Sequence, residues 1–216
     1  MEIEKLTILG LSESTLTMIF DNLESCMLFP EIKIVNNLVL NKLKSFENPL
    51  FEISLIPTVE NSDCISKSFL GVYKPQSKLA VFKHFESINS DFINIINKTA
   101  SISSTVKLGV GINVNSLVSV AAFTQIGNFV SINRNASIGH HSKINDFVTI
   151  NPGANIAGFV KIGRNTLIGM GVNIIDGISV GENSIIGAGS LVTKNIPNGV
   201  VAYGNPCKII RKNEIF

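Results

Sequence analysis

Three histidines stand in the sequence: His84 within VFKHFES, and His140 and His141 side by side within IGHHSK. Imidazole is the side chain that changes charge near neutral pH, so it can take a proton from an attacking amine or hydroxyl. In an adjacent pair, one ring can orient the other by a hydrogen bond, but it supplies no negative charge to strengthen its neighbour as a base. The pair could also suggest two metal ligands. No cysteine or acid stands at a ligand spacing, however, and Asp146 is the nearest acid. No metal site is expected. A lone turn histidine is ordinarily surface decoration, and His84 reads as a solvated helix residue. Cys26, Cys64 and Cys207 are far apart and match no metal spacing. None lies near the histidine pair, so they read as reduced thiols of a cytoplasmic protein.

The element that must hold the histidine pair is a repeat. Every sixth residue from Ile102 to Val192 is Ile, Leu or Val, sixteen positions without exception. Period six fits neither a continuous helix nor a flat strand. It fits short strands and turns wound into a coil. Four residues after each aliphatic comes a small or β-branched residue such as Thr124, Ala136, Ser142 or Val160, giving two inward positions per hexad. Three hexads make a triangular coil, and successive coils stack at the strand spacing of about 4.8 Å. About five coils are expected from this spacing. Gly or Asn often follows the aliphatic, as at Gly109, Gly139, Asn145 and Gly163, and reads as the corner that needs positive φ. Phe123, Phe129, Phe147 and Phe159 share the fourth hexad position, expected to face outward. Outward aromatics suggest a subunit interface or a covered groove. No loop interrupts the array.

Before the repeat, LTIL (6–9), IKIV (32–35), FEISLI (51–56) and SFLGV (68–72) read as strands, and 13–24 and 75–87 as helices. The alternation predicts a small parallel α/β domain over 1–98, with its own core built on eight of the thirteen phenylalanines. Ligands of such sheets sit beyond the carboxyl ends of the strands, here Gly10–Ser14, Asn36–Asn37 and Tyr73–Lys74. The repeat fills 99–196, and prolines and glycines then end the coil in a tail, 197–216. Lys208, Arg211 and Lys212 in that tail could meet phosphates or simply be solvated.

Composition bounds the class. The 216 residues are 45% apolar and 16% charged, with a net charge of +2, so neither a disordered chain nor a nucleic-acid binder is indicated. No apolar run reaches the about 18–20 residues of a membrane span. The start, MEIEKLTILGL, does not read as a signal peptide.

The hexads, the segment IGHHSKINDFVTINPGANIAGFVKIG and the ending IGAGSLVTKNIPNGVVAYGNPCKII resemble the bacterial left-handed β-helix sugar acyltransferases. The branch they resemble includes sialic acid O-acetyltransferases and N-acetyltransferases of nucleotide-linked 4-amino-6-deoxy sugars. The resemblance spans the chain, strongly over 101–210 and loosely before that. It implies a Rossmann-like α/β domain followed by a left-handed parallel β-helix. It also implies acetyl-CoA as co-substrate, a nucleotide-sugar substrate, and a homotrimer with sites between subunits. His140 matches the family's general base, and His141 stands where an acid usually supports that base. Thr149 stands where many members place a histidine against the thioester, and it could still contact the cofactor. Gly158, Met170 and Ala188 match the acetyl-CoA groove, and Lys208 of the basic tail is added to them as a cofactor contact. The family's sugar-nucleotide pocket maps to Ser12, Glu13, Ser14, Asn36 and Asn37, and the strand ends add Gly10, Tyr73 and Lys74 to it. The expected activity is N-acetylation of an amino-deoxy sugar for surface glycan synthesis in the bacterial cytoplasm. Sugar O-acetylation and a non-catalytic binding or structural trimer are the alternatives.

Overall fold

The structure, a computed structural model, describes residues 3–10, 12–35, 49–56, 67–87 and 90–214. Among the described residues, the first part is a parallel sheet of four strands with two helices. Strands β1 (Lys5–Leu9), β2 (Glu31–Val35), β3 (Ile53–Ile56) and β4 (Ser68–Leu70) lie in the order β3-β2-β1-β4. Ile8, Leu9, Ile34 and Val35 expose no surface, as expected for a parallel sheet covered on both faces. Helix α1 (Glu13–Ser25) opens after Ser12 with an acid in its first turn, and α2 (Pro75–His84) opens on proline. Both are ordinary helix starts. Every expected strand and helix is present, several shorter than the sequence suggests. Asn36 and Asn37 lie outside the described residues.

From Ile95 the chain winds into a parallel β-helix. Seventeen two-residue strands, from β5 (Ile95–Ile96) to β21 (Leu191–Val192), follow one another three to a coil. Each pairs with the strand one coil on, as Ser131 does with Thr149 and Ile132 with Ile150. The first face carries β5 and every third strand after it, the second face β6 (Ser101–Ile102) and its series, and the third β7 (Lys107–Leu108) and its series. The hexad aliphatics fill the interior: Ile132, Ile150, Ile168 and Ile186 are at most 1% exposed. Ile102 and Leu108, on the edge strands of the second and third faces, are the partly exposed exceptions. The second inward position is buried as well. Its hydroxyls donate to corner carbonyls, Thr124 to Gly139, Ser142 to Ala157, Thr166 to Gly181 and Ser184 to Pro197, at 2.8–3.1 Å. Buried polar groups are thereby satisfied.

Two expectations about the corners are corrected. Positive φ falls on the third residue after the aliphatic, as at Asn135, His141, Gly153 and Asn165, and not on the first. The glycines immediately after the aliphatic serve another constraint. A Cβ on Gly163 would lie 2.3 Å from the Glu182 nitrogen of the next coil, and one on Gly139 would lie 2.4 Å from the Ala157 carbonyl carbon. They are glycines because coils approach too closely for a side chain. The phenylalanines also divide. Phe123 and Phe159 are exposed, but Phe129 and Phe147 are buried against Phe82, Val81, Leu9 and Leu70 of the α/β part. The core of that part is therefore not separate, because one of its clusters is shared with the β-helix.

The ending is more than a tail. β22 (Val200–Tyr203) joins the first face beside β20 (Ile185–Ile186), and β23 (Lys208–Lys212) pairs with it antiparallel, so the open edge of the last coil is covered. Among the described residues, no helix is long and apolar enough to cross a membrane.

The two kinds of glycine respond differently to substitution. Gly163→Ala forces backbone against side chain and is expected to cost about 3 kcal/mol or more. Gly153→Ala meets open space and should lose only the left-handed backbone term of about 1–2 kcal/mol. Denaturant unfolding of both variants checks the ranking, and the reverse order would contradict it.

Candidate active site

His140 and His141 occupy the corner between the second and third faces, after β12 (Ser137–Ile138) and before β13 (Lys143–Ile144). His141 takes the left-handed conformation at φ 57°, and its amide donates to the Ala122 carbonyl at 3.0 Å. This turns the two rings toward each other, with Nδ1 of His140 3.1 Å from Nδ1 of His141. One Nδ1 donates and the other accepts. If His140 carries its proton on Nδ1, its Nε2 is an unshared acceptor facing away from the pair. That nitrogen lies over Gly158 of the next coil: a Cβ built there would come within 3.0 Å of it and 2.9 Å of Cε1. Glycine at 158 is what lets the imidazole lie there. The rings of Phe159 and His140 meet edge to face at 5.0 Å, while His141 stacks on Phe159 at 5.0 Å and lies tilted against Phe123 at 4.9 Å. Both histidines are exposed in the single chain.

Beside this corner, a surface groove of about 360 Å³ runs along the second face, lined by Ser137, Asn155, Ala157, Asn173, Ile175 and Asp176. Its floor is a ladder of side chains. The Ser137 hydroxyl donates to Asn155 Oδ1 at 2.9 Å, and Asn155 Nδ2 donates to Asn173 Oδ1 at 3.2 Å. Asp176 is the acid nearest Gly158, but its Oδ1 accepts the Gly158 amide at 2.7 Å and so braces the corner. Met170 and Ala188, both exposed, stand at the opposite corner of the same face. The groove thus separates them from His140 and Gly158. Lys208 is exposed on β23, at the end of the first face.

The carboxyl edge of the α/β sheet gathers other expected residues. Gly10, at φ 84°, packs on Val72, where a Cβ would approach Cγ1 to 2.9 Å. Ser12 and Ser14 bring their hydroxyls to 3.2 Å at the start of α1, next to Glu13. Tyr73 and the exposed Lys74 follow β4, and Lys74 caps α2. Thr149 belongs with this group rather than with the histidine pair. It is fully buried on the first face, and its hydroxyl donates to the Tyr73 carbonyl at 2.9 Å. The Tyr73 hydroxyl donates to Asn151 Oδ1 at 2.8 Å and accepts from Asn133 Nδ2 at 3.0 Å. Burial raises the Tyr73 phenol above its usual pKa, while the Asn133 hydrogen bond and the nearby Arg134 charge pull it back.

Sequence reasoning missed two residues that fix the α/β part on the first face. Asn22 of α1, 1% exposed, donates to Asn113 and Asn115 at 2.8 Å each and accepts from Asn97 at 3.0 Å. Lys78 of α2, 2% exposed, places Nζ 2.8 Å from the Phe129 carbonyl, 3.0 Å from the Val148 carbonyl and 3.2 Å from Ser131 Oγ. Burial pushes its ammonium well below the ordinary lysine range. The run of asparagines one residue after the aliphatics was the available signal for the first contact. A lysine on a short helix carries no such signal. Among the described residues, no group of three or more histidine, cysteine or acidic side chains is arranged to hold a metal ion.

This architecture matches known proteins. Residues 159–194 match the family described as bacterial transferase hexapeptide (six repeats). No curated protein sequence matches the chain. Among solved structures, a histidine-to-asparagine variant of perosamine N-acetyltransferase from Caulobacter crescentus, in complex with CoA and GDP-perosamine, superposes with a TM-score of 0.84 at 21% identity. The match covers 95% of this chain and 96% of that one. The acetyltransferase domain of PglB from Neisseria gonorrhoeae FA1090, in complex with acetyl coenzyme A, gives 0.84 at 20% identity over 96% and 100% of the chains. WeeI from Acinetobacter baumannii AYE gives 0.77 at 20% identity over 97% and 100%. The hexapeptide match thus covers part of a chain that folds throughout residues 95–192 as a parallel β-helix. The chain's α/β part, β-helix and closing strands together have the fold of these three structures over nearly their whole length.

The buried Lys78 makes stability depend on pH. Its folded pKa lies below the unfolded value of about 10.4, so its contribution is present above that value and is lost as pH falls toward the folded pKa. The stability of the wild type relative to Lys78→Met is expected to rise with pH on approaching the unfolded value of about 10.4, by up to about 1.4 kcal/mol per pH unit. Urea unfolding at stepped pH measures it, and parallel curves would refute it.

Proposed function

We propose that the chain is an acetyl-CoA-dependent N-acetyltransferase acting on a nucleotide-activated amino-deoxy sugar, at the 4-amino group, in the synthesis of a surface polysaccharide or glycan. The observation that carries this reading is the His140–His141 pair. It presents His140 Nε2 over Gly158 at the rim of an open groove, on a fold shared end to end with structures that hold CoA, acetyl-CoA and GDP-perosamine.

In this reading, residues 1–98 form a Rossmann-like domain that takes the nucleotide through Gly10, Ser12, Glu13, Ser14, Asn36, Asn37, Tyr73 and Lys74. Residues 99–196 form a left-handed β-helix that takes the acyl donor, and 197–216 close it. The pantetheine arm is slim and rich in amides. It suits the groove's small residues and its amide ladder, with Gly158, Met170 and Ala188 at the flanking corners and Lys208 toward a phosphate. Thr149 acts from beneath, through Tyr73. The exposure of both histidines and the openness of the groove favour a homotrimer in which a neighbouring copy completes each site. Both substrates are metabolites of the bacterial cytoplasm.

The donor supplies an activated acyl carbonyl, and the chain's residues supply proton handling and alignment. A sugar ammonium is unreactive until neutral. His140 Nε2 takes the proton that nitrogen loses as it bonds to the acyl carbon, and returns it to the departing sulfur. His141 holds the proton on His140 Nδ1 so that Nε2 is free to accept. A corner amide serves as donor to the developing oxyanion. Most of the remaining acceleration is alignment of two bound substrates.

The test is free-thiol release from acetyl-CoA with UDP-, dTDP- and GDP-linked 4-amino sugars, beside a panel of hydroxyl acceptors including sialic acid. Turnover with a 4-amino sugar is expected. Turnover with hydroxyl acceptors alone would move the assignment to O-acetylation, and silence with no acetyl-CoA binding would refute transfer. His140→Ala is expected to lower kcat by about 10²–10⁴. His141→Glu restores a negative charge beside the base and should match or exceed the wild type.

A further inference from the structure

Three successive coils place aromatic rings at one corner position: Phe123, His141 and Phe159. All three residues adopt the left-handed conformation, with φ of 61°, 57° and 57°. Bulky side chains are uncommon there, and the same position elsewhere in the β-helix is often glycine or asparagine. Strain of this kind needs a reason. Phe129 and Phe147, at the neighbouring corner, have one, since the α/β part buries them. Phe123 and Phe159 are 56% and 55% exposed, so burial within the chain does not explain them. What they touch is His141, and Phe159 also closes on His140.

The geometry points to Phe123 and Phe159 as positioning residues that clamp the His141 imidazole between two rings and thereby set the tautomer of His140. The catalytic use of this clamp rests on the function proposed above. An imidazole at a surface corner would otherwise turn about its side-chain bonds. Held between two ring faces, it keeps Nδ1 aimed at His140 Nδ1. Of the two tautomers this contact admits, the one the proposal assigns has His140 carrying its proton on Nδ1, with Nε2 as the acceptor over Gly158. His141, accepting at Nδ1, carries its own proton on Nε2. No proton is gained or lost in this arrangement, and one hydrogen bond is fixed. Where a carboxylate would orient a base by charge as well as geometry, this corner does so by shape.

The first measurement needs no substrate. Histidine ¹⁵N shifts in the intact protein report which nitrogen of each ring holds the proton, and the three signals are assigned with single His→Gln variants. The wild type is expected to show His140 protonated on Nδ1. The double variant Phe123→Leu/Phe159→Leu should show a mixture of tautomers, and the double variant Phe123→Tyr/Phe159→Tyr should restore the wild-type pattern. In turnover, the leucine variant should lose about tenfold in kcat, part of what a positioned base contributes, with KM for both substrates unchanged. Phe123→Asn, which suits the left-handed corner, should keep thermal stability while losing activity. An unchanged His140 tautomer in the leucine variant would overturn the clamp. So would an activity loss that follows dissociation of the assembly in sedimentation, which would make the rings interface residues. A wild type with the expected tautomers but no turnover on any acceptor would leave the clamp standing and remove the enzymatic reading.

Discussion

The constraint on which the rest of the molecule depends is the register of one coil upon the next. Each strand from β5 to β18 (Asn173–Ile174) pairs in parallel with the strand eighteen residues later, so Gln125, Lys143 and Lys161 form one column and Ser131 and Thr149 belong to another. Once that register is set, every residue stacks on the residue at its own position in the next coil. The first inward column must then be aliphatic, because a charge there would have no partner, while the second tolerates a hydroxyl where a corner carbonyl accepts from it. Corner columns must accept positive φ at one position and a close backbone neighbour at another. Departures from the column rules therefore stand out. The aromatic column around His141 is one of them, and it lies where the molecule does something besides stack.

The sequence made the β-helix visible because a strict period repeats the same physical demand many times over. It could not separate demands that select the same residue. Glycine satisfies positive φ and close approach alike, and the glycines after the aliphatics were read by the first reason when the second holds. The four phenylalanines at one hexad position are likewise identical in pattern. Whether a corner is covered depends on a chain segment far away in sequence, so nothing local distinguishes Phe129 and Phe147, under α2, from the open Phe123 and Phe159.

The candidate site divides in the same way. His140 and Gly158 are each singled out by the resemblance, and the register, with eighteen residues between them, is what makes them neighbours. Thr149 was expected at a cofactor, yet its side chain points beneath Tyr73, since the first face is the one the α/β part covers. Lys78 was invisible. A lysine in PQSKLAVFKH reads as solvated, and only the packing of α2 against two coils takes it out of water.

That packing explains how an uninterrupted β-helix can work in two parts. Corners without an extruded loop give little shape to grip a large ligand, so much of the recognition has to come from elsewhere in the chain. The α/β part is joined to the first face by polar contacts as well as apolar ones, through Asn22, Tyr73 and Lys78. An apolar contact alone tolerates sliding by a fraction of a residue. A buried amide or amine that must find particular carbonyls does not, because a lost partner leaves an unsatisfied buried group worth about 1–3 kcal/mol. The loops at the carboxyl edge of the sheet are therefore held at a fixed height along the coil axis. A fixed height matters because the histidine corner is also fixed, by the same register, on a different edge of the prism. In the proposed function, two rigidly indexed edges align two substrates without a moving part. The exposed rings of Phe123, His141 and Phe159 then do locally what the register does globally: they hold a side chain in place by stacking it on its neighbours.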